Sequence, residues 1–197
     1  TYEVLLGQCS ARDAILTTPF KGVEVIPSSM ALAAAELELA DMRDRVMRLK
    51  EELVRVKGEY DFVLIDCPPS LGMVTLNALS ACDSLIIPIQ CEYYALEGLS
   101  QLVTTVRQVK RLYNPGIEIE GVLLTMYDGR LNLTLQVVDE VKKYFPEKVF
   151  KNVIPRNVRL SEAPSFGQPV LYFDRSSRGS QAYEALTAEI LDKNRKG

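Results

Sequence analysis

The residue of this sequence best placed to do chemistry is Asp66. It closes the run Tyr60-Asp61-Phe62-Val63-Leu64-Ile65-Asp66 and is followed by Cys67-Pro68-Pro69-Ser70. A β-branched and aromatic run of this length predicts a strand over 61–66. Asp66 then stands at the strand's carboxyl end, where open α/β sheets bind their ligands. A carboxylate there suits a hard cation such as magnesium, held directly or through water. The competing reading is an Asp that caps the following turn. Two rigid prolines go beyond what a generic cap requires.

Other chemistries are excluded by composition. The chain has 197 residues and no histidine, so no histidine base, metal ligand or triad can be built. The four cysteines, Cys9, Cys67, Cys82 and Cys91, form no CxxC pair. A zinc or redox centre is therefore not expected, and Cys67, Cys82 and Cys91 read as small buried hydrophobes in a reducing, cytoplasmic compartment. No apolar run approaches the roughly 18 residues a membrane span needs. The net charge of −3 is uneven: residues 1–127 hold 11 basic and 17 acidic side chains, residues 128–197 hold 12 and 9. A basic segment can contact a polyanion, although charge alone points rather to a solvated surface.

The elements that must position these residues alternate. Strands are predicted over 23–26, 61–66, Ser84–Gln90, Glu118–Thr125 and 149–154, with a short edge strand over Val170–Phe173. Several are nearly continuous apolar runs, as in parallel strands buried on both faces. Leu32, Ala35, Leu39, Met42, Val46, Leu49, Leu53 and Val56 alternate in steps of three and four. That spacing predicts amphipathic helix over 28–56, packed on the sheet and bent into two pieces. Further helices are predicted over 75–82, 96–113, 133–145 and 180–193. Strands alternating with helices imply βαβ units and one three-layer α/β domain with a mostly parallel sheet over residues 1–197.

An apolar strand ending in Asp66 is the Walker-B arrangement of P-loop NTPases. Taken with the blocks YDFVLIDCPPSLG, PIQCEYYALEGLSQL, GVLLTMYDGR, VIPRNVRLSEAPSFGQPV and YFDRSSRGSQAY, in that order, the chain resembles the ParA/Soj family of partition ATPases. The resemblance runs from about Val23 to the C-terminus. It implies that Asp66 holds the magnesium-bound water shell and that Pro68, Pro69 and Ser70 form a nucleotide-responsive loop. It implies that Met126, Pro155, Arg156 and Asn157 flank the adenine and ribose. It assigns Arg130 and Arg159 to sequence-independent DNA binding, for which a planar, permanently charged guanidinium is suited. Without the resemblance, each arginine reads rather as half of a surface ion pair. Tyr93 and Tyr94 are implied to lie near a dimer interface, and 161–164 to form a short helical turn beside Arg159.

One part of the machinery is missing from the sequence. No GxxxxGK[ST] motif and no Gly-Lys dipeptide occur in it. In the family a glycine-rich loop, its lysine and its Ser/Thr cradle the phosphates and magnesium. The expectation is that Thr1 follows that loop, with the P-loop strand and helix, on the order of 50 residues, absent. The intact family protein would bind ATP and magnesium, form a homodimer, coat non-specific DNA on the nucleoid and answer to a ParB-like partner. This chain by itself is expected to bind no cofactor, to be inactive as an ATPase and to associate through its sheet or long helix. The alternatives are a MinD-like membrane-associated ATPase, disfavoured by the polar tail 188–197, and a non-catalytic interaction fragment.

Overall fold

The computed structural model describes residues 1–92 and 95–195, with the side chains of 95–97 outside the description. Tyr93 and Tyr94 thus lie outside the described residues. The chain divides into two compact units, residues 1–83 with 102–118, and residues 84–101 with 119–197.

The first unit opens with two short helices, α1 (Tyr2–Leu6) and α2 (Ala11–Ala14). A hairpin-like pair follows, β1 (Leu16–Thr17) and β2 (Glu24–Val25), antiparallel with Leu16 opposite Val25. The predicted strand over 23–26 is thus present but antiparallel and exposed. The amphipathic stretch forms two helices, α3 (Leu32–Ala40) and α4 (Arg48–Leu53). Between them Asp44 takes a φ of 55°, a left-handed conformation that ends helical continuity. Ala35, Leu39, Val46, Leu49 and Val56 are buried, as the three–four spacing requires. Leu5, Ala35, Leu39, Leu49 and Ala78 make the core of this unit, with Ile65 packed against it. Ala78 comes from α5 (Met73–Ala81). Asn114 closes that helix: its Nδ2 donates to the carbonyls of Leu79 and Cys82, satisfying groups a helix end leaves unpaired.

The second unit holds β3 (Ser84–Gln90) and β4 (Glu118–Thr125), both with the predicted bounds. They are neighbours in one sheet. Cys91 N–H donates to the Thr125 carbonyl and Glu118 N–H to that of Asp83. Partners rise together along the chain, so the pair is parallel. The predicted strand over 149–154 joins as isolated parallel bridges, Val122 with Val149 and Tyr127 with Pro155. Leu123, Phe150, Ile154 and Leu186 form the core here. The helices of this unit are α7 (Asn132–Tyr144), α8 (Val158–Glu162), α9 (Val170–Phe173) and α10 (Arg178–Asn194), while α6 (Ala95–Leu112) belongs to it only over 95–101 and to the first unit from 102 onward.

Three expectations are corrected. Val170–Phe173 is helix α9 rather than an edge strand, because Pro169 precedes it and its carbonyl accepts from Tyr172 and Phe173 N–H. Proline at a helix start pre-sets φ and costs no hydrogen bond. The segment 61–66 joins no strand: among the described residues its backbone N–H groups donate no hydrogen bond. A strand exists only through its ladder, so β propensity without a neighbour leaves irregular chain. Phe62, Val63 and Leu64 are exposed as a result, Leu64 at 88%. Cys67 is exposed as well, rather than a small buried hydrophobe, since the segment carrying it has no neighbour to cover it; Cys91 is buried and Cys82 half-buried.

Candidate functional site

Asp66 lies in the first unit, exposed at the end of its unpaired segment. Ile65, the residue before it, is packed against the core of this unit. The loop beyond is tied to α5 by Thr75 Oγ1, which donates to the Ser70 carbonyl at 2.6 Å. Among the described residues no group of three acidic, Cys or His side chains could hold a metal ion. Asp66 alone supplies one carboxylate, so a magnesium ion there needs further oxygens from water or phosphate.

The other predicted site residues all lie in the second unit. β4 delivers Met126, which adopts a φ of 50°. A bulky residue in that region is strained by about 1–3 kcal/mol and persists only where its surroundings hold it. They do: Tyr127 N–H donates to the Ile154 carbonyl at 3.1 Å, and Tyr127 and Pro155 form the parallel bridge. This pairing brings Met126 alongside Pro155-Arg156-Asn157. The predicted base-flanking residues are therefore one local constellation beyond the carboxyl end of β4.

Asn157 occupies the N-cap position of α8, yet its side chain makes no capping bond. Its Oδ1 is buried and has no hydrogen-bond partner. A buried acceptor without a donor costs about 1–3 kcal/mol. Such an atom fits a ligand that brings an N–H, and the exocyclic amine of adenine is one. Arg156 turns outward and pairs with Glu92 at 3.1 Å.

Arg130 lies just before α7, held by Asp128. Its Nε donates to Asp128 Oδ1 at 2.8 Å, its Nη2 to Oδ2 at 2.6 Å, and its backbone N–H to Oδ1 at 3.1 Å. These bonds, with the nearby charge of Arg156 as a smaller contribution, pull the Asp128 carboxyl down to about 2. Arg159, on α8, is shared: its Nη1 donates to Glu162 at 2.8 Å and its Nε faces Asp174 at 3.3 Å. Both arginines are ion-paired, as the surface-pair reading expects, and both remain exposed to solvent. The carboxylate partners were missed by sequence reasoning. Asp128 had a signal, since it sits two residues before Arg130; Asp174 had none, because it comes from a distant segment.

The parallel β3–β4 pair and its connecting helices belong to a P-loop NTPase fold of the ParA and MinD kind. A family model described as an AAA domain matches residues 1–119. The chain is 54% identical over 189 residues to the sporulation initiation inhibitor protein Soj of Bacillus subtilis, covering 96% of this chain and 75% of that protein. It is 48% identical over 193 residues to the chromosome partitioning protein ParA of Myxococcus xanthus, covering 98% and 68%. The chain belongs to the Soj/ParA family of chromosome-partitioning ATPases. Among solved structures, cobyrinic acid a,c-diamide synthase from Mycobacterium smegmatis with bound ATP analogue and magnesium superposes with a TM-score of 0.83. Identity there is 34%, with 96% of this chain and 70% of that one covered. The McdA–ATP complex of Cyanothece, at 20% identity and a TM-score of 0.84, shares the fold, covering 97% of this chain and 74% of that one. Among the described residues no helix is long and apolar enough to cross a membrane.

Proposed function

We propose that this chain carries the base-binding and DNA-binding half of a ParA-type partition ATPase, and that it does not hydrolyse ATP by itself. The observation that supports the reading is the pairing of Tyr127 with Pro155, which brings the segment of Met126 alongside that of Pro155 and Asn157, the last with a buried, unpartnered Oδ1. Bound ATP with magnesium would supply a phosphoryl group for transfer to water. Met126 and Pro155 would contact the adenine, Asn157 Oδ1 would accept from its amine, and Arg156 would border the ribose. Asp66 would orient water on magnesium. The phosphates would lack their cradle, since no GxxxxGK[ST] loop occurs within these 197 residues. The ATP analogue and magnesium in the 34%-identical Mycobacterium structure support the choice of ligand.

Arg130 and Arg159 would contact DNA phosphates without reading sequence. The intact protein would work as a cytoplasmic, nucleoid-associated homodimer, released from DNA by a ParB-like partner. The names of the Soj and ParA relatives support the partition role.

The test is calorimetric titration of the purified chain with adenosine and with ATP–magnesium. Neither should bind tightly; any residual affinity should be similar for the two, since the phosphates lack their cradle, and should be lost in Asn157→Ala. ATP turnover sensitive to Asp66→Ala would refute the inactivity. For DNA, Arg130→Ala and Arg159→Ala should each weaken binding and lower the salt slope by about 1. Unchanged affinity in both would remove the assignment.

A further inference from the structure

The two arginines assigned to DNA do not present bare charge. Arg130 directs its Nε–Nη2 edge at both oxygens of Asp128, with the backbone N–H adding a third bond to the same carboxylate. This is the fork geometry by which a guanidinium grips a phosphate. The Arg130 side chain is 89% exposed and that of Asp128 only 26%. The cation thus faces solvent while its counterion is fixed beneath it. Arg156 adds a second positive charge near Asp128, and is itself balanced by Glu92. Arg159 shows the same theme with two carboxylates, Glu162 and Asp174.

We propose that Asp128 is a built-in competitor for Arg130, occupying the edge a DNA phosphate would take and holding DNA affinity low until the phosphate displaces it. The proposal rests on the reading of Arg130 as a DNA contact. A carboxylate that only aimed Arg130 would have the opposite effect: its removal would weaken binding. Competition predicts tightening, because the exchange of one anion for another no longer has to break a formed bidentate pair. The neutralised pair also releases fewer counterions than a bare arginine, so removing Asp128 should steepen the salt dependence.

The experiment measures fluorescence anisotropy of a labelled short duplex of arbitrary sequence against the full chain, at low and moderate salt. Asp128→Ala, and the isosteric Asp128→Asn, should bind about two- to fivefold tighter than the unaltered chain, the range set by surface ion-pair strengths. The slope of log K on log salt should steepen by about 0.9. Arg130→Ala should weaken binding, and the double variant Asp128→Ala, Arg130→Ala should match Arg130→Ala alone. Asp139→Ala, which removes an exposed carboxylate of α7, controls for net charge. Weaker or unchanged binding by both Asp128 variants overturns the proposal, as does a gain that survives without Arg130 or equals that of Asp139→Ala. If Arg130→Ala leaves binding unchanged, or neither the chain nor its Asp128 variants bind the duplex, the Arg130 reading itself fails and the proposal with it. If Arg130→Ala weakens binding while Asp128→Ala does not strengthen it, only the proposal fails.

Discussion

A Cβ on Gly72 would lie 2.5 Å from Oε1 of Glu36, so the glycine is what lets this carboxylate reach the start of α5. Glu36 accepts from Met73 N–H at 2.6 Å and from Val74 N–H at 3.1 Å. A helix N-terminus favours exactly such an anion, and here a neighbouring helix provides it. Gly72→Ala should push the flexible carboxylate aside and lose the cap, destabilising the chain by about 0.5–2 kcal/mol. Glu36→Gln, which keeps an acceptor, should cost less. Urea midpoints decide it: an unshifted Gly72→Ala would show that the cap contributes nothing.

Asn77 is a second polar strut, fully buried inside the first unit. Its Nδ2 donates to the carbonyls of Arg45 and Met73, and its Oδ1 accepts from Leu49 N–H. It thereby ties the start of α4 and the connection before it to α5. Asn77→Leu would strand Leu49 N–H and the Arg45 carbonyl without partners, at about 2–3 kcal/mol in total. Chemical denaturation should show the loss with little change in m-value.

Much of this was legible beforehand because it depends on local pattern. The three–four spacing named Ala35, Leu39 and Leu49, and each is buried. The apolar runs gave β3 and β4 their bounds, since both find partners within the chain. The run 61–66 has the same character and forms no strand, because pairing is a property of two segments and no described neighbour supplies the second. Likewise VLYF over Val170–Phe173 has strand-like residues, but Pro169 started a helical turn. At the site, Met126, Pro155 and Asn157 came from family resemblance, whereas their convergence needed the Tyr127–Pro155 bridge. That Arg159 is ion-paired was legible, with Glu162 three residues on, but its second partner Asp174 was not, since it reaches Arg159 only through tertiary structure.

Cysteine reactivity should separate by position. Burial, with a smaller contribution from nearby Cys67, raises the Cys82 thiol from 9.0 to about 11. Cys67 is exposed. Iodoacetamide at mildly alkaline pH should label Cys67 well before Cys82, read by peptide mass mapping. The linkage follows the same shift. Below pH 9 the thiol is neutral in both states and its contribution is constant; between pH 9 and about 11 it ionises only when unfolded. Stability should therefore fall with rising pH across that window, less so in Cys82→Ala.

The Asp128–Arg130 pair should resist acid. Its carboxyl is lowered from 3.8 to about 2, chiefly by the Arg130 side-chain bonds. A depressed carboxyl contributes its stability above the unfolded value and loses it as pH falls from there toward the folded one. The window is thus pH 3.8 down to about 2. A carboxyl-carbon NMR titration should place the Asp128 midpoint near the lower end, and Arg130→Ala should return it toward the ordinary value. A midpoint already at the ordinary value in the unaltered chain would mean that the pair is broken in solution.

Gly179 and Leu160 couple the last helix to the turn that carries Arg159. A Cβ on Gly179 would lie 2.5 Å from Leu160 Cγ, with both Cδ atoms at 2.9 Å. Leu160 packs against the core of the second unit, so it cannot swing freely away. Gly179→Ala should push α8 outward, destabilise the chain by about 1–3 kcal/mol and strain the contacts of Arg159 with Glu162 and Asp174. Shortening the obstructing side chain should relieve this. The double variant Gly179→Ala, Leu160→Ala should therefore be more stable than the sum of the single changes predicts, by about 0.5–3 kcal/mol. Additive midpoints in thermal melts would mean that the two helices adjust independently, and that position 179 does not set the placement of Arg159.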